Sequence, residues 1–321
     1  MEISQSKIKT WRTCRKQYFY KYILKLEKKR KPYAFLRGTF VHEMLEAIYN
    51  QKSPWPVYDK LIEENERAFR IHPEEYGTMP EDVKLLVKGY NRFYKDEDLK
   101  VHKVEHEFKV PLIKGVDLVG KIDMIAANQK LNWVVEHKCH NKIPDNSLVP
   151  YSNLQSALYA WAWNTQNPKL KADGIMWNYL WGKPMGIPQF LKNGTMSKKV
   201  TQNMTWPSYK AHLKLNNLKP NNYLDMKEKL SENMSNFYQR KFVPLNATLI
   251  DNIVKDTKFT AKEILENSEK DQTRNLGHHC DFCQFKELCQ AQLKGLDDNF
   301  ILKSDFRKRK KDELQDNPQQ D

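Results

Sequence analysis

Gly120-Lys121-Ile122-Asp123 and then Trp133-Val134-Val135-Glu136-His137-Lys138 place charge inside two short apolar runs. Side chains alternate along a strand with period two. Val134, Glu136 and Lys138 therefore share one face, and Trp133, Val135 and His137 the other. Asp123 lies in a similar run, Val116 to Ile125. On neighbouring strands, Asp123, Glu136 and Lys138 converge. Two carboxylates converging in a low-dielectric sheet repel each other unless a cation separates them. A hard divalent ion with oxygen ligands fits that gap. Taken alone, the same residues also read as strand-edge charges in a salt bridge.

Around this stretch the pattern is β-rich. Val101 to Val110 alternates polar and apolar, Lys114-Gly115 turns the chain into the Asp123 strand, and Asn128-Gln129-Lys130 turns it into Leu131–Cys139. A helix starting at Pro150 or Ser152 follows, then a strand at Gly174–Trp181 with a hairpin partner at Gly186–Leu191. The first third is helical: from Ser4 or Ser6 to about Lys25, then about Leu36–Asn50, Val57–Ile71 and Pro80–Asp96. After Ser197 helices are expected at about Pro207–Leu218, Tyr223–Gln239 and Ala247–Glu266. This order predicts an α/β fold, a mixed central sheet flanked by helices. We read one domain over 1–303, helical over residues 1–98, with a sheet core over 99–195, and helical again over 196–303. A charged, disordered tail is expected over 304–321.

Composition narrows the classes. With 321 residues, 40% hydrophobic and 12% aromatic, the chain can build a substantial core. No apolar run is long enough to span a membrane, and the first residues lack the apolar segment of a secretory signal. A cytoplasmic protein is expected. The net charge of +14 favours a polyanionic partner, nucleic acid first. Tyr18, Tyr20, Tyr22 and Trp181 lie near basic residues and are candidates for stacking on bases. Five cysteines, an odd count, argue against a disulfide framework.

Cys280-x-x-Cys283-x5-Cys289 has metal-ligand spacing and needs a fourth ligand. Cys14, Cys139, His278 and His279 are the candidates. Thiolates at this spacing suit an iron–sulfur cluster or tetrahedral zinc. His42 and Glu46 share one face of their helix, and so do Gln155 and Tyr159. Each reads equally as ordinary amphipathic packing.

In combination these motifs resemble the PD-(D/E)XK nucleases, in particular the RecB-like exonuclease branch. The resemblance runs from about Ser4 to Cys289. It rests on Cys14, Arg37-Gly38-Thr39-x-x-His42-x-x-Leu45-Glu46, Asp123, Glu136-x-Lys138, Gln155-x-x-x-Tyr159 and the cysteine triplet, in that order. It implies a restriction-endonuclease-like fold and a metal-dependent DNA exonuclease of repair, recombination or phage- and CRISPR-related processing. It further implies Mg²⁺ or Mn²⁺ on His42, Asp123, Glu136 and the His137 backbone carbonyl. Lys138, Gln155 and Tyr159 would complete the catalytic set. As in AddB-type and CRISPR-associated exonucleases, Cys14, Cys280, Cys283 and Cys289 would hold a [4Fe–4S] cluster tying the chain's two ends, with zinc as the alternative. DNA is the implied partner, single-stranded or with free ends. A repair or adaptation complex is also implied. Three positions depart from the pattern: Arg15 where proline is frequent, Ile122 for the motif's proline, and Cys139 where threonine is common. The sequence holds no Gly-x-x-x-x-Gly-Lys-[Ser/Thr], so no helicase motor is expected. The competing class is a non-catalytic, metal-stapled DNA-binding subunit.

Overall fold

The alternating run around Val101–Val110 extends to fourteen residues and folds back at Lys114-Gly115 as a long hairpin. Gly115 sits at φ +80°, a left-handed turn conformation that glycine adopts without steric cost. The computed structural model describes residues 1–129, 131–141 and 153–309. In chain order the strands are β1 (Glu2–Ile3), β2 (Leu26–Lys28), β3 (Lys100–Ile113), β4 (Val116–Asn128), β5 (Leu131–His140), β6 (Gly174–Trp181), β7 (Tyr238–Pro244) and β8 (Phe306–Lys308). The α-helices are α1 (Gln5–Thr13), α2 (Arg15–Tyr18), α3 (Tyr33–Tyr49), α4 (Trp55–Ile71), α5 (Pro73–Tyr76), α6 (Met79–Phe93), α7 (Leu154–Gln166), α8 (Trp206–Leu215), α9 (Leu224–Glu232), α10 (Ala247–Asn267), α11 (Lys286–Leu293) and α12 (Asn299–Asp305).

Six strands form a mixed sheet in the order β1-β4-β5-β6-β7, with β3 on the other edge of β4. β1 joins β4 and β5 joins β6 in parallel, and the other pairs are antiparallel. One edge of β4 belongs to β3. The other edge is shared: β1 pairs at Asp117 and Leu118, and β5 takes over only at Met124. Asp123 lies just before that ladder begins, where β4 and β5 part.

Helices cover both faces. Ile8 and Trp11 of α1, Leu158 and Trp163 of α7, and Val254 and Ile264 of α10 pack with Val134, Ile175 and Trp177. On the other face Tyr49 of α3 packs with Met124, Val135 and Met176. Gly120 allows a close approach: a Cβ there would lie 2.6 Å from the Phe108 ring and 3.1 Å from that of Tyr159. Both rings are buried. Gly120→Ala should therefore lower stability by about 1–3 kcal/mol through overpacking. Chemical denaturation checks this, and an unchanged midpoint would contradict the packing.

The mixed sheet flanked by helices agrees with the expected α/β class. Four local expectations need correction. The first helix does not run to Lys25. Ser4 caps it by accepting from the Lys7 amide, but at Cys14 the backbone is extended, with φ −163°. The helical path then resumes as α2 and a π-helical turn at Phe19–Ile23. Gly186–Leu191 is no strand partner of β6. That place belongs to β7, across residues 182–237, which build a core of their own from Met204, Trp206, Tyr209, Tyr223 and Met226. The expected helix Tyr223–Gln239 therefore breaks. It ends as α9 and a 3-10 turn, Asn233–Asn236, with the Asn233 amide held by the carbonyls of Thr201 and Met204. Finally, the expected disordered tail begins too early. Phe306–Lys308 forms β8 on β2, and Phe306 is buried against Phe285. The rest of that tail, 310–321, and the Pro150 or Ser152 helix start lie outside the described residues. α7 begins with Asn153 as its cap.

Candidate active site and cysteine cavity

The parting of β4 and β5 leaves a notch in the sheet, and the charged residues of both strands line it. The Asp123 Oδ2 accepts the His137 backbone N–H at 2.7 Å, taking the place of a ladder bond. The Asp123 Oδ1 lies 3.5 Å from His42 Nδ1, delivered by α3. Asp123 is 3% exposed and Glu136 1%. Lys138 Nζ stands 3.6 Å from Glu136 Oε2 and donates to Gln155 Oε1 at 3.0 Å. The structure thus brings His42, Asp123, Glu136, Lys138 and Gln155 together. Tyr159 lies one turn deeper, 4% exposed and edge-on to Phe108. His137 contributes its backbone to the notch, while its ring lies on the α3 face.

Sequence reasoning missed Glu105. It stands opposite Asp123 between the pairs Val104↔Met124 and His106↔Ile122. Its backbone has φ +51°, a conformation that costs a non-glycine residue of order 1–3 kcal/mol and that a packed site must hold in place. Ligand atoms of His42, Glu105 and Asp123 all lie within 4.8 Å of one another. Glu105 Oε2 also pairs with Lys121 Nζ at 2.5 Å. The turn alone gives only an approximate signal: counting equal steps from Lys114-Gly115 brings residue 105 opposite residue 124, one residue beyond Asp123.

Burial and mutual charge set the ionisation. Burial alone would raise Asp123, but the charge and hydrogen bond of His42, with His137 and Lys138, outweigh it and hold Asp123 below its ordinary range. Burial and the Asp123 charge push Glu136 well up, against the pull of Lys138. Glu136 Oε1 is buried without a hydrogen-bond partner. A carboxylate oxygen left bare beside a second carboxylate is the arrangement a cation relieves.

Burial and Asp123 likewise push Glu105 from 4.5 up to about 7, against Lys121. Folding therefore takes up a proton between those pH values. The stability this group contributes is complete below about 4.5 and is lost as the pH rises through about 7. In chelator, the melting temperature should fall across that window. Glu105→Gln should make the fall shallower, and Mn²⁺ should restore the parent at the upper end. A parent melting temperature flat in pH would contradict the buried acidic cluster.

Behind the notch a polar network fixes His137. Its ring stacks on Tyr49 at 5.6 Å, with planes 6° apart, and Nδ1 meets Asn178 Nδ2 at 2.8 Å. Arg240 donates to Asn178 Oδ1, Tyr49 OH and Tyr90 OH. Burial pushes His137 down to about 4, so the ring is neutral at pH 7. We assign Nδ1 as the acceptor, because the Asn178 amide nitrogen can only donate.

The second cluster lies where the ends of the chain meet. Cys14, Cys280, Cys283 and Cys289 line one cavity of about 250 Å³ with Lys16, Arg274 and Phe285. Their sulfurs are not gathered like the ligand atoms at the notch; among the described residues only His42, Glu105 and Asp123 form so tight a group. Burial raises the Cys283 thiol, and the other three cysteines add to that. The ends are also joined by ordinary contacts: Lys16 N donates to Thr273 O, Asn275 to Thr13 O, and Arg15 pairs with Asp271 at 3.1 Å. Cys139 lies elsewhere, on β5, where burial pushes its thiol up to about 11. His279 lines the cavity with its Nε2 2.7 Å from Asn275 O. Of the proposed stacking aromatics, Tyr18 and Tyr20 are core residues at 4% and 1% exposure, which corrects the expectation that they present faces to bases.

Among solved structures, a "Putative exonuclease" from Eubacterium rectale is similar at 8% identity and TM-score 0.47, covering 88% of this chain and 87% of that one. The structure named SSO0001 is similar at 12% identity and TM-score 0.34, covering 90% and 86%. Comparison with curated proteins gives no match. The family model of the PD-(D/E)XK nuclease superfamily matches residues 2–290, nearly the whole length that carries the notch and the cysteine cavity. The chain belongs to the PD-(D/E)XK nuclease superfamily.

Proposed function

We propose that this chain is a Mg²⁺- or Mn²⁺-dependent deoxyribonuclease of the RecB-like type, acting as an exonuclease on DNA with free ends. The observation that carries the reading is the convergence of Asp123, Glu136, Glu105, His42 and Lys138 at the β4–β5 notch. The residues fit a divalent ion: hard carboxylate oxygens, one of them unpartnered, with an imidazole that suits Mn²⁺. His42, Asp123, Glu105 and Glu136, with the His137 carbonyl, would hold it. An ion there supplies the Lewis acidity that activates water and offsets phosphate charge.

The chain's own residues do the rest. Lys138, tethered by Gln155, orients the attacking water and places positive charge where the phosphorane-like transition state gathers negative charge. The His137 amide braces Asp123 and would hold its carboxylate in place for a cation. Tyr159 packs edge-on to Phe108 over Gly120 and so fixes α7 against the hairpin that carries Asp123. The His137 network keeps the β5 backbone from rotating, so that the carbonyl of the same residue stays in register with Asp123.

The cysteine cavity is the proposed seat of a [4Fe–4S] cluster on Cys14, Cys280, Cys283 and Cys289. Tetrahedral zinc with Zn–S bonds of about 2.3 Å would draw its sulfurs to roughly 3.8 Å of one another. Sulfurs spread around one cavity favour the larger group, and Lys16 and Arg274 offset its negative charge. We read residues 1–303 as one nuclease unit working in the cytoplasm, in DNA repair, recombination or the processing of phage or CRISPR-related DNA.

Purified protein with linear and covalently closed circular DNA tests the reading. Mg²⁺ or Mn²⁺ should permit digestion of linear DNA, chelator should stop it, and circles should survive. Digestion in chelator would refute the metal mechanism, and cleavage of closed circles would refute the exonuclease assignment.

A further inference from the structure

The exposed basic and aromatic groups of α10 meet away from the notch. This helix buries Val254, Thr257, Ala261 and Ile264 and turns Lys255, Lys258, Phe259 and Lys262 to solvent. Residues spaced by three, four and seven share one helical face. Ile113 and Lys114, at the tip of the β3–β4 hairpin, form the opposite wall of a groove of about 460 Å³. Phe259 is 64% exposed within it. Four lysines and one glutamate, Glu266, line the groove. Glu266 lies 3.9 Å from Lys262. Lys114, Lys255 and Lys258 have no ion pair among the described residues.

α7 ties the notch to the hairpin whose tip walls this groove. Gln155, in its first turn, holds Lys138. Gln166, its last residue, donates to Lys109 O, five residues before the turn residue Lys114. Thirteen helical residues span about 20 Å. Along β3, Ile113 of the groove lies eight residues from Glu105 of the notch, about 27 Å of strand.

We propose that this groove is a second nucleic-acid contact, taking a single strand about 27 Å from the notch by the rise of the β3 strand. Lys114, Lys255 and Lys258 meet phosphates, and a base face stacks on Phe259. The choice of nucleic acid as occupant rests on the nuclease reading and on the charge of the groove. The choice of a single strand rests on Phe259, because a duplex hides its base faces inside the stack. A strand held there and at the notch must span that distance, and fragments too short to reach both are held only at the notch.

The test is binding of a fluorescent oligothymidylate of roughly 20 nucleotides to the full chain in chelator, where no cleavage intervenes. Phe259→Ala should weaken binding about tenfold and leave the salt dependence unchanged, since stacking releases no counterions. Lys255→Gln with Lys258→Gln should make the slope of log affinity against log salt shallower by about 1.4, or 0.7 for each lost phosphate contact. All variants are surface changes, and their melting temperatures should match the parent. Parental affinity and slope in both variants would overturn the groove. So would loss of binding to phosphatidylserine vesicles, or of polyglutamate competition, with oligothymidylate binding intact. If the chain binds oligothymidylate through the groove yet digests nothing with Mg²⁺ or Mn²⁺, this inference stands and the nuclease reading falls. If it digests DNA while the variants bind like the parent, the groove alone falls.

Discussion

Glu136→Gln should reduce DNA hydrolysis by roughly a thousandfold or more, while the metal-free protein becomes more stable at pH 8. The two effects have one cause. Glu136 is buried beside Asp123 with one oxygen unpartnered, and its protonation is pushed well above the ordinary carboxylate range by burial and by that neighbour. Its folded form therefore resists ionising, and the stability it contributes at low pH is lost as the pH rises. The amide keeps the shape and removes the charge. A cation then loses an anionic ligand, and Lys138 loses the partner 3.6 Å away. A structural salt bridge would behave in the opposite way, losing stability on substitution with little change in rate. Rates with Mg²⁺ and with Mn²⁺, together with melting in chelator, decide between the two. A variant that cleaves like the parent removes Glu136 from the site.

Cys14→Ser should abolish the brown visible absorbance expected of the anaerobically purified protein and lower its melting temperature by on the order of 10 °C. Cys14 is the one cysteine of the cavity that comes from the amino-terminal end of the chain. Its extended backbone, between α1 and α2, turns the chain at the cavity. Without it a cluster on Cys280, Cys283 and Cys289 no longer joins the two ends. The contacts through Lys16, Arg15 and β2–β8 remain, so the fold should survive. Cys139→Ser is the control: its thiol lies on β5, and the absorbance should be unchanged. Colourless parent protein with stoichiometric zinc would replace the iron–sulfur assignment, and a Cys14→Ser protein as coloured as the parent would remove Cys14 from the cavity's chemistry.

Local pattern carried much of the notch. Period-two alternation reveals the half-exposed β3, and short apolar runs reveal β4 and β5, which helices cover on both faces; neither pattern needs distant information. The turn at Lys114-Gly115 then sets the hairpin register within a residue of the observed one. Asp123, Glu136 and Lys138 were legible for the same reason: charge inside an apolar strand is costly and so stands out. Glu105 was not. In the sequence it is one acid among alternating charges, and its left-handed backbone and closeness to His42 arise only when α3 packs over the sheet.

The errors share a different cause. β6 needs an antiparallel neighbour, and the nearest apolar stretch, Gly186–Leu191, looked sufficient. The actual partner, β7, lies across an inserted unit with its own core. Phe306–Lys308 read as tail because three residues have no periodicity. They become a strand only because Leu26–Lys28 presents an edge and Phe285 a surface for Phe306.

By itself the order of residues determined the class of fold, the strand patterns that build the β3–β5 core, and the kinds of ligand available: hard oxygens in the middle of the chain, soft sulfurs near its ends. Those properties depend on neighbours within a turn or a strand. Only the tertiary structure decided where β4 and β5 part, which carboxylate joins Asp123 and His42, and that Cys14 shares a cavity with the cysteine triplet. These depend on ladder ends and on helices crossing a sheet. Such contacts join residues far apart in the chain, and their energy is fixed by packing rather than by local preference.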